Sequence, residues 1–244
     1  MKNELIIFAA AIALLAGCSK EEGAPAAERP CIRLSTGVEA ATRATDVAFE
    51  EGDNFGLIVL SRTSETAPSL DGARYLNNGL CTQTAEGVEM PTVKYPEKSA
   101  DFYAYYPYTD RAAFDVTAVP VSVPAVQTRS ESDPLATLAA HDFLYAVTCG
   151  IKKGDNAVNL QFKHLFSALE IRLTTDLRAK LEGVIFRCVS NENAAVSMEN
   201  ATVDLRTGEV NVSEAVVSNA VRLDCSGNTS DTEALVLHLV VTPG

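Results

Sequence analysis

Residues 158–173 read VNLQFKHLFSALEIRL. Val158, Leu160 and Phe162 alternate with Asn159, Gln161 and Lys163, and Leu169, Ile171 and Leu173 alternate with Glu170, Arg172 and Thr174. A period of two puts apolar side chains on one face of an extended chain and polar ones on the other. Each run therefore reads as a half-buried antiparallel strand. His164–Ala168 reads as a kink or short connection between them.

The same signal runs through nearly everything after residue 50. Phe55–Leu60 (FGLIVL) is a continuous apolar run, as in a strand buried on both faces. Tyr75–Gln83 carries Asn77-Asn78-Gly79, a turn or bulge signal. In Asp101–Tyr108 (DFYAYYPY), Phe102, Ala104 and Tyr106 point one way and Tyr103 and Tyr105 the other. Pro107 ends that strand or places it at an edge, and the proline inside Val116–Val123 is a second edge signal. Residues 128–142 suit a loop with one helical turn, followed by a strand at Phe143–Val147. Further strands are expected at Val184–Val189, Ala201–Leu205, Val210–Leu223 and Ala234–Val241, with a hairpin turn at Thr207-Gly208. Many short strands with frequent turns point to an all-β chain built of sandwiches. The turn at 152–156 is the best boundary, giving sandwiches over 44–153 and 154–244.

The N-terminus has a different logic. Lys2 precedes an unbroken apolar run, Leu5–Leu15, which is too short to span a bilayer but suits a secretory signal. Leu15-Ala16-Gly17-Cys18 resembles the bacterial lipobox. The resemblance implies a signal peptide over 1–17, cleavage between Gly17 and Cys18, a diacylglycerol on the Cys18 sulfur and an acyl chain on its new amino group. Several acyl chains anchor a protein stably where one does not. Ser19-Lys20-Glu21-Glu22 is similar to the signal that sends Bacteroidetes lipoproteins to the outer surface, and Gly23–Pro30 reads as a flexible stalk.

Charge and reactive residues narrow the function. Removing residues 1–17 takes away one lysine and one glutamate, so the net charge stays at −12. That balance argues against nucleic acid and against an anionic bilayer as partners, leaving the lipid anchor as the membrane contact. With 47% apolar residues the chain can bury a proper core. Of six cysteines, an odd number remains once Cys18 is lipidated, and none has C-x-x-C spacing. Cys149 and Cys188 read as small buried hydrophobes. A Cys149–His141 nucleophile pair can be drawn, but a loop or core histidine is the simpler reading. Glu21-Glu22 and Glu50-Glu51 read as solvated charges. Asp53 and Asn54 lack EF-hand spacing. No catalytic residue, metal or cofactor is expected, and the chain is not read as an enzyme.

Several stretches together resemble the fimbrillin (Mfa-like) family of Bacteroidales. They are Thr42-Arg43-Ala44-Thr45-Asp46 with Phe49–Gly56 (FEEGDNFG), then Asp101–Tyr108, Asp142–Ala146 (DFLYA), Val158–Leu173 and Ala201–Gly208 (ATVDLRTG), in family order. The resemblance implies two transthyretin-like antiparallel β-sandwich domains in tandem. It implies a subunit or accessory of surface fimbriae, used in adhesion and biofilm, that reaches the outer membrane as a lipoprotein. An Arg-specific protease then removes an N-terminal segment, here 18–43, and a strand from the next subunit fills the groove. Ile32-Arg33-Leu34 is the expected temporary plug, with Ile32 and Leu34 inward. Arg43-Ala44 is the candidate cleavage site; Arg29 and Arg33 are rivals, and Pro30 argues against Arg29. Family members usually continue past the strand at the end of this sequence, so the second sandwich is expected to lack strands if residue 244 is the natural end.

Two other classes remain. A surface glycan-binding lipoprotein with β-sandwich modules would need exposed aromatic platforms, and the chain has no tryptophan. A secreted hydrolase would need a nucleophile or carboxylate constellation that the sequence does not offer.

Overall fold

A computed structural model describes residues 32–39, 49–62, 74–94, 98–111, 115–152, 154–155, 157–176, 179–191, 194–228 and 233–243. Seven strands form the first sheet, in the spatial order β1 (Leu34–Val38), β9 (Val158–His164), β8 (Leu144–Lys152), β5 (Ser99–Tyr106), β2 (Asn54–Ser61), β3 (Arg74–Thr84) and β4 (Gly87–Glu89). Its centre is β5 and β2, paired antiparallel with Ile58 opposite Tyr103 and Gly56 opposite Tyr105.

The alternation in β5 has a stronger consequence than a half-buried strand. Phe102 and Ala104 lie in one apolar cluster with Phe55, Leu57 and Phe162. Tyr103 and Tyr105 lie in another, with Ile58, Val119, Val203 and Val221. Both faces of the central strands are covered, which is why β2 reads as an uninterrupted apolar run. The Asn77-Asn78-Gly79 signal is a bulge and not a turn. Asn78 sits at φ 54°, the pairing with β2 shifts between Leu57 and Val59, and β3 continues through it.

The remaining strands stack on the second face of this sheet. β12 (Ser197–Asp204) pairs with β6 (Val119–Val123) along one edge, and with β13 (Glu209–Asn211) and β14 (Val216–Ser218) along the other. β15 (Ala220–Asn228) lies between β11 (Lys180–Arg187) and β7 (Val126–Thr128). β10 (Ser167–Leu173) pairs with β16 (Leu235–Val241). The single described helix, α1 (Ala136–His141), is the helical turn expected within 128–142 and packs on β16. The protein is all-β, with sheets packed face to face in sandwich fashion. Most pairs are antiparallel; β1 with β9 and β7 with β15 run parallel.

Several expectations need revision in detail. Val210–Leu223, read as one strand, breaks into β13, β14 and the start of β15. β8 and β9, on either side of the boundary expected at 152–156, are neighbours in one sheet, and β6 and β7 pair with β12 and β15. Cys149 is exposed and not a buried hydrophobe, because it shares the outward face of β8 with the exposed Val147. Cys188 is half-buried against the core, whereas Cys81 and Cys225 are buried.

Candidate functional site

β1 occupies a slot in the first sheet. Its even-numbered residues face the core: Ile32, just before the strand, is 4% exposed, and Leu34 and Val38 pack on the same cluster. Ser35 is exposed. On one side β1 pairs in parallel with β9, from Leu34 opposite Val158 to Val38 opposite Phe162. The pairing is closed by the Val158 N–H donating to the Arg33 carbonyl (2.9 Å) and the Glu39 N–H donating to the Phe162 carbonyl (2.8 Å). On the other side the Ile32 N–H donates to the Val93 carbonyl (3.1 Å), and Thr36 Oγ1 donates to Gln83 Oε1 (2.9 Å). The strand begins at Leu34, where the expected Ile32-Arg33-Leu34 segment ends, and the stretch 32–38 is held from both flanks.

The segment after residue 48 forms the floor beside β1. Phe49 packs on Phe162 with ring centres 4.8 Å apart, on Tyr106 at 5.5 Å and on Phe55 at 5.8 Å. The tight turn between Phe49 and Phe55 needs Gly52 at φ 100°, a conformation that disfavours other residues. Asp53 Oδ2 accepts the Glu50 N–H (2.8 Å), and Gly52 and Asp53 are tied to Gln83 of β3 by backbone bonds. Beyond Val38 the slot opens into a cavity of about 150 Å³.

The sequence-predicted sites distribute unevenly. Gly17, Cys18, Arg43 and Ala44 lie outside the described residues. In sequence, Arg43 falls between Glu39, at the end of β1, and Phe49, where the body resumes. Cys149, although exposed, lies beside Arg62 and Asp101; partial desolvation of its thiol by the surrounding chain and the Asp101 carboxylate push it up. Asp101 is almost wholly buried and is the anchor there, accepting from Arg62 Nε and from the Gly150 N–H, both at 2.8 Å. Burial pushes His141, at the end of α1, down. Among the described residues no group of three or more His, Cys, Asp or Glu could hold a metal ion, and no helix is long and apolar enough to cross a membrane. The partners of β1 on its second flank, Val93 and Gln83, were not legible in the sequence. Nothing in a local pattern ties residues so far apart to Ile32 and Thr36.

The chain matches a family model described as fimbrillin-like over residues 42–242. It is 29% identical to a candidate fimbrium subunit, Fim1C, of Bacteroides uniformis, over 252 aligned positions covering 97% of this chain and 71% of that protein. Two crystal structures share the fold. One is a candidate cell adhesion protein from Bacteroides uniformis (22% identity, TM-score 0.54, covering 90% of this chain and 76% of that one). The other is a candidate cell adhesion protein from Bacteroides ovatus (16% identity, TM-score 0.52, covering 88% and 78%). The family match begins just after β1 and runs through β2 to β16, taking in the whole body that holds the strand. On that span of sequence the chain belongs to the fimbrillin-like family.

Proposed function

We propose that this protein is a structural subunit or accessory of surface fimbriae, serving cell adhesion. It is exported as a lipoprotein on Cys18, matured by Arg-specific cleavage between Arg43 and Ala44, and assembled by strand exchange, its tandem sandwiches being transthyretin-like. The observation that carries the reading is β1 itself. It is a short strand, parallel to β9, joined to the body through a sequence that contains Arg43.

The energetics favour replacement once the chain is cut. Burying a side chain such as Ile32 or Leu34 contributes about 1.5–3 kcal/mol, so the empty slot is costly and a substitute strand is drawn in. The vacated edge of β9 also presents unpaired backbone groups that another strand satisfies, with alternate side chains entering the pockets of Ile32, Leu34 and Val38. Parallel pairing is slightly weaker per residue than antiparallel pairing, so an incoming antiparallel strand displaces β1 downhill. Donation from one subunit to the next does not close on itself and builds a filament. Other fimbrial subunits are therefore the partners, and the surface of the outer membrane is the site of assembly.

The test is digestion of a chain beginning at Ser19 with an Arg-specific protease, followed by native mass spectrometry. The reading expects a body starting at Ala44, loss of the 19–43 fragment and head-to-tail oligomers. A cut body that stays monomeric, or keeps the fragment bound at all concentrations, overturns it.

A further inference from the structure

The core-facing side of β1 is not uniformly apolar. Ile32, Leu34 and Val38 pack on one cluster, and the same alternation turns Thr36 inward between Leu34 and Val38. Thr36 is half-buried, and its Oγ1 donates to Gln83 Oε1 at 2.9 Å. Gln83 is the matching exception on β3. It follows Cys81, a fully buried member of the same cluster, by two residues, so its side chain also leaves its strand on the core-facing side.

Gln83 is held on three sides. Its N–H donates to the Asp53 carbonyl at 2.8 Å, and its own carbonyl accepts the Gly52 N–H at 2.9 Å. Its side-chain Nε2 donates to the Thr84 carbonyl at 3.2 Å. That last bond decides which way round the amide lies. A carbonyl can only accept, so the nitrogen must face Thr84, and turning the amide over would set two oxygens against each other. Oε1 therefore faces position 36 as a fixed acceptor.

A fixed acceptor needs a donor opposite it. The hydroxyl of threonine or serine supplies one on a short side chain. Valine has nearly the shape of threonine but leaves the half-buried Oε1 unpaired. Aspartate can only accept, and it would bring a charge against that oxygen. A site built around a hydroxyl rejects the analogue that lacks it more strongly than an apolar pocket rejects a change of size. The outward residues Arg33 and Ser35 are exposed and meet no comparable demand.

We propose that Gln83 selects the strand that enters this slot by requiring a serine or threonine at the position of Thr36. The partner is an extended segment of another subunit with two apolar residues, a hydroxyl and a further apolar residue at alternate positions. That order applies to a strand running as β1 does and is reversed for an antiparallel one. The inference rests on the reading of β1 as a replaceable strand and adds the chemical rule for its replacement.

The test takes the chain beginning at Ser19, cuts it with an Arg-specific protease and offers fluorescent peptides of the sequence IRLSTGVE, residues 32–39. The peptides keep Thr36 or carry Thr36→Ser, Thr36→Val or Thr36→Asp, and uptake is read by fluorescence anisotropy. The threonine and serine peptides should bind alike, and the valine and aspartate peptides about tenfold more weakly. Gln83→Leu, and Gln83→Met as a second variant of similar length, should take the valine peptide at least as tightly as the threonine one. A valine peptide that binds the native body as tightly as threonine, or a ranking unchanged in both Gln83 variants, overturns the proposal. Uptake of no peptide counts against strand exchange itself, and the uncut chain then decides the role of Gln83. There Thr36→Val should speed hydrogen exchange of the Ile32 and Glu39 amides, both hydrogen-bonded in the slot, about tenfold with Gln83 and not with Gln83→Leu. Equal effects in the two backgrounds overturn the proposal.

Discussion

Gln127 pairs with Val240 as if it were a strand. Its Nε2 donates to the Val240 carbonyl at 2.7 Å, and its Oε1 accepts the Val240 N–H at 2.9 Å. Gln127 is 1% exposed, and this pair of hydrogen bonds covers Val240 on the edge of β16 away from β10. A side-chain amide can do this because it carries a donor and an acceptor on one plane, as the backbone does.

Replacing Gln127 with alanine leaves both backbone groups of Val240 buried and unpaired. The expected loss is about 2–4 kcal/mol of unfolding free energy, since each unpaired group costs about 1–3 kcal/mol. Gln127→Glu should be nearly as harmful, because a carboxylate cannot donate to the Val240 carbonyl. Urea titration of the three proteins checks both statements.

Gly56 is required by Tyr105. The two are cross-strand partners, and a Cβ on Gly56 would overlap the Tyr105 ring. That ring is fixed by its hydroxyl, which donates to Asn78 Oδ1 at 2.6 Å within the bulge of β3. Gly56→Ala should cost about 1–3 kcal/mol through overpacking. The double variant Gly56→Ala with Tyr105→Leu should cost less than the sum of the two single changes. A thermal-melt double-mutant cycle reads the coupling, and strict additivity would contradict the packing account.

His164 should make stability depend on pH with a defined sign. The hydrogen bond to Asp142 raises the imidazole above its ordinary value, against a smaller opposing effect of burial. A raised folded-state value stabilises the protein fully below the unfolded value of about 6.5, and that contribution disappears as pH rises through the folded value. His164→Gln should therefore lose more stability, relative to the wild type, at about pH 5.5 than at about pH 8.5. His141, lowered by burial, acts in the opposite sense, so the comparison is best made in a His141→Gln background.

The thiols should react in a fixed order. Hydrogen bonds from Ser190 and the backbone of Asn191 lower Cys188, whereas partial desolvation raises the exposed Cys149 and burial pushes Cys81 up to about 12. The thiolate is the reactive form. Among Cys81, Cys149, Cys188 and Cys225, iodoacetamide should alkylate Cys188 first in the native protein. Peptide mapping over a time course checks the order.

What the sequence revealed and what it hid follow from distance along the chain. The opposite faces of β5, the helical turn at Ala136–His141 and the turn at Thr207-Gly208 are local patterns, and each is present. The Gly208 N–H closes its turn on the Asp204 carbonyl at 2.7 Å. Pairing of β6 with β12 and of β7 with β15 joins residues far apart, and periodicity carries no information about it. Nothing in the sequence near Gln127 announces its bonds to Val240. Cys149 looked buried because it lies in a β-like run, although its side of β8 near the strand's end faces outward. The inward direction of Ile32 and Leu34 was legible from alternation, while the hold of β1 and its flank on Val93 and Gln83 appears only in the folded chain.

The most direct measurement is the N-terminal mass of this protein in filaments sheared from the surface of the cells that make it. The account predicts a chain starting at Ala44 inside multimers, with the strand Leu34–Val38 gone. A chain in that fraction that still begins at acylated Cys18 would contradict strand exchange, because the slot would remain filled.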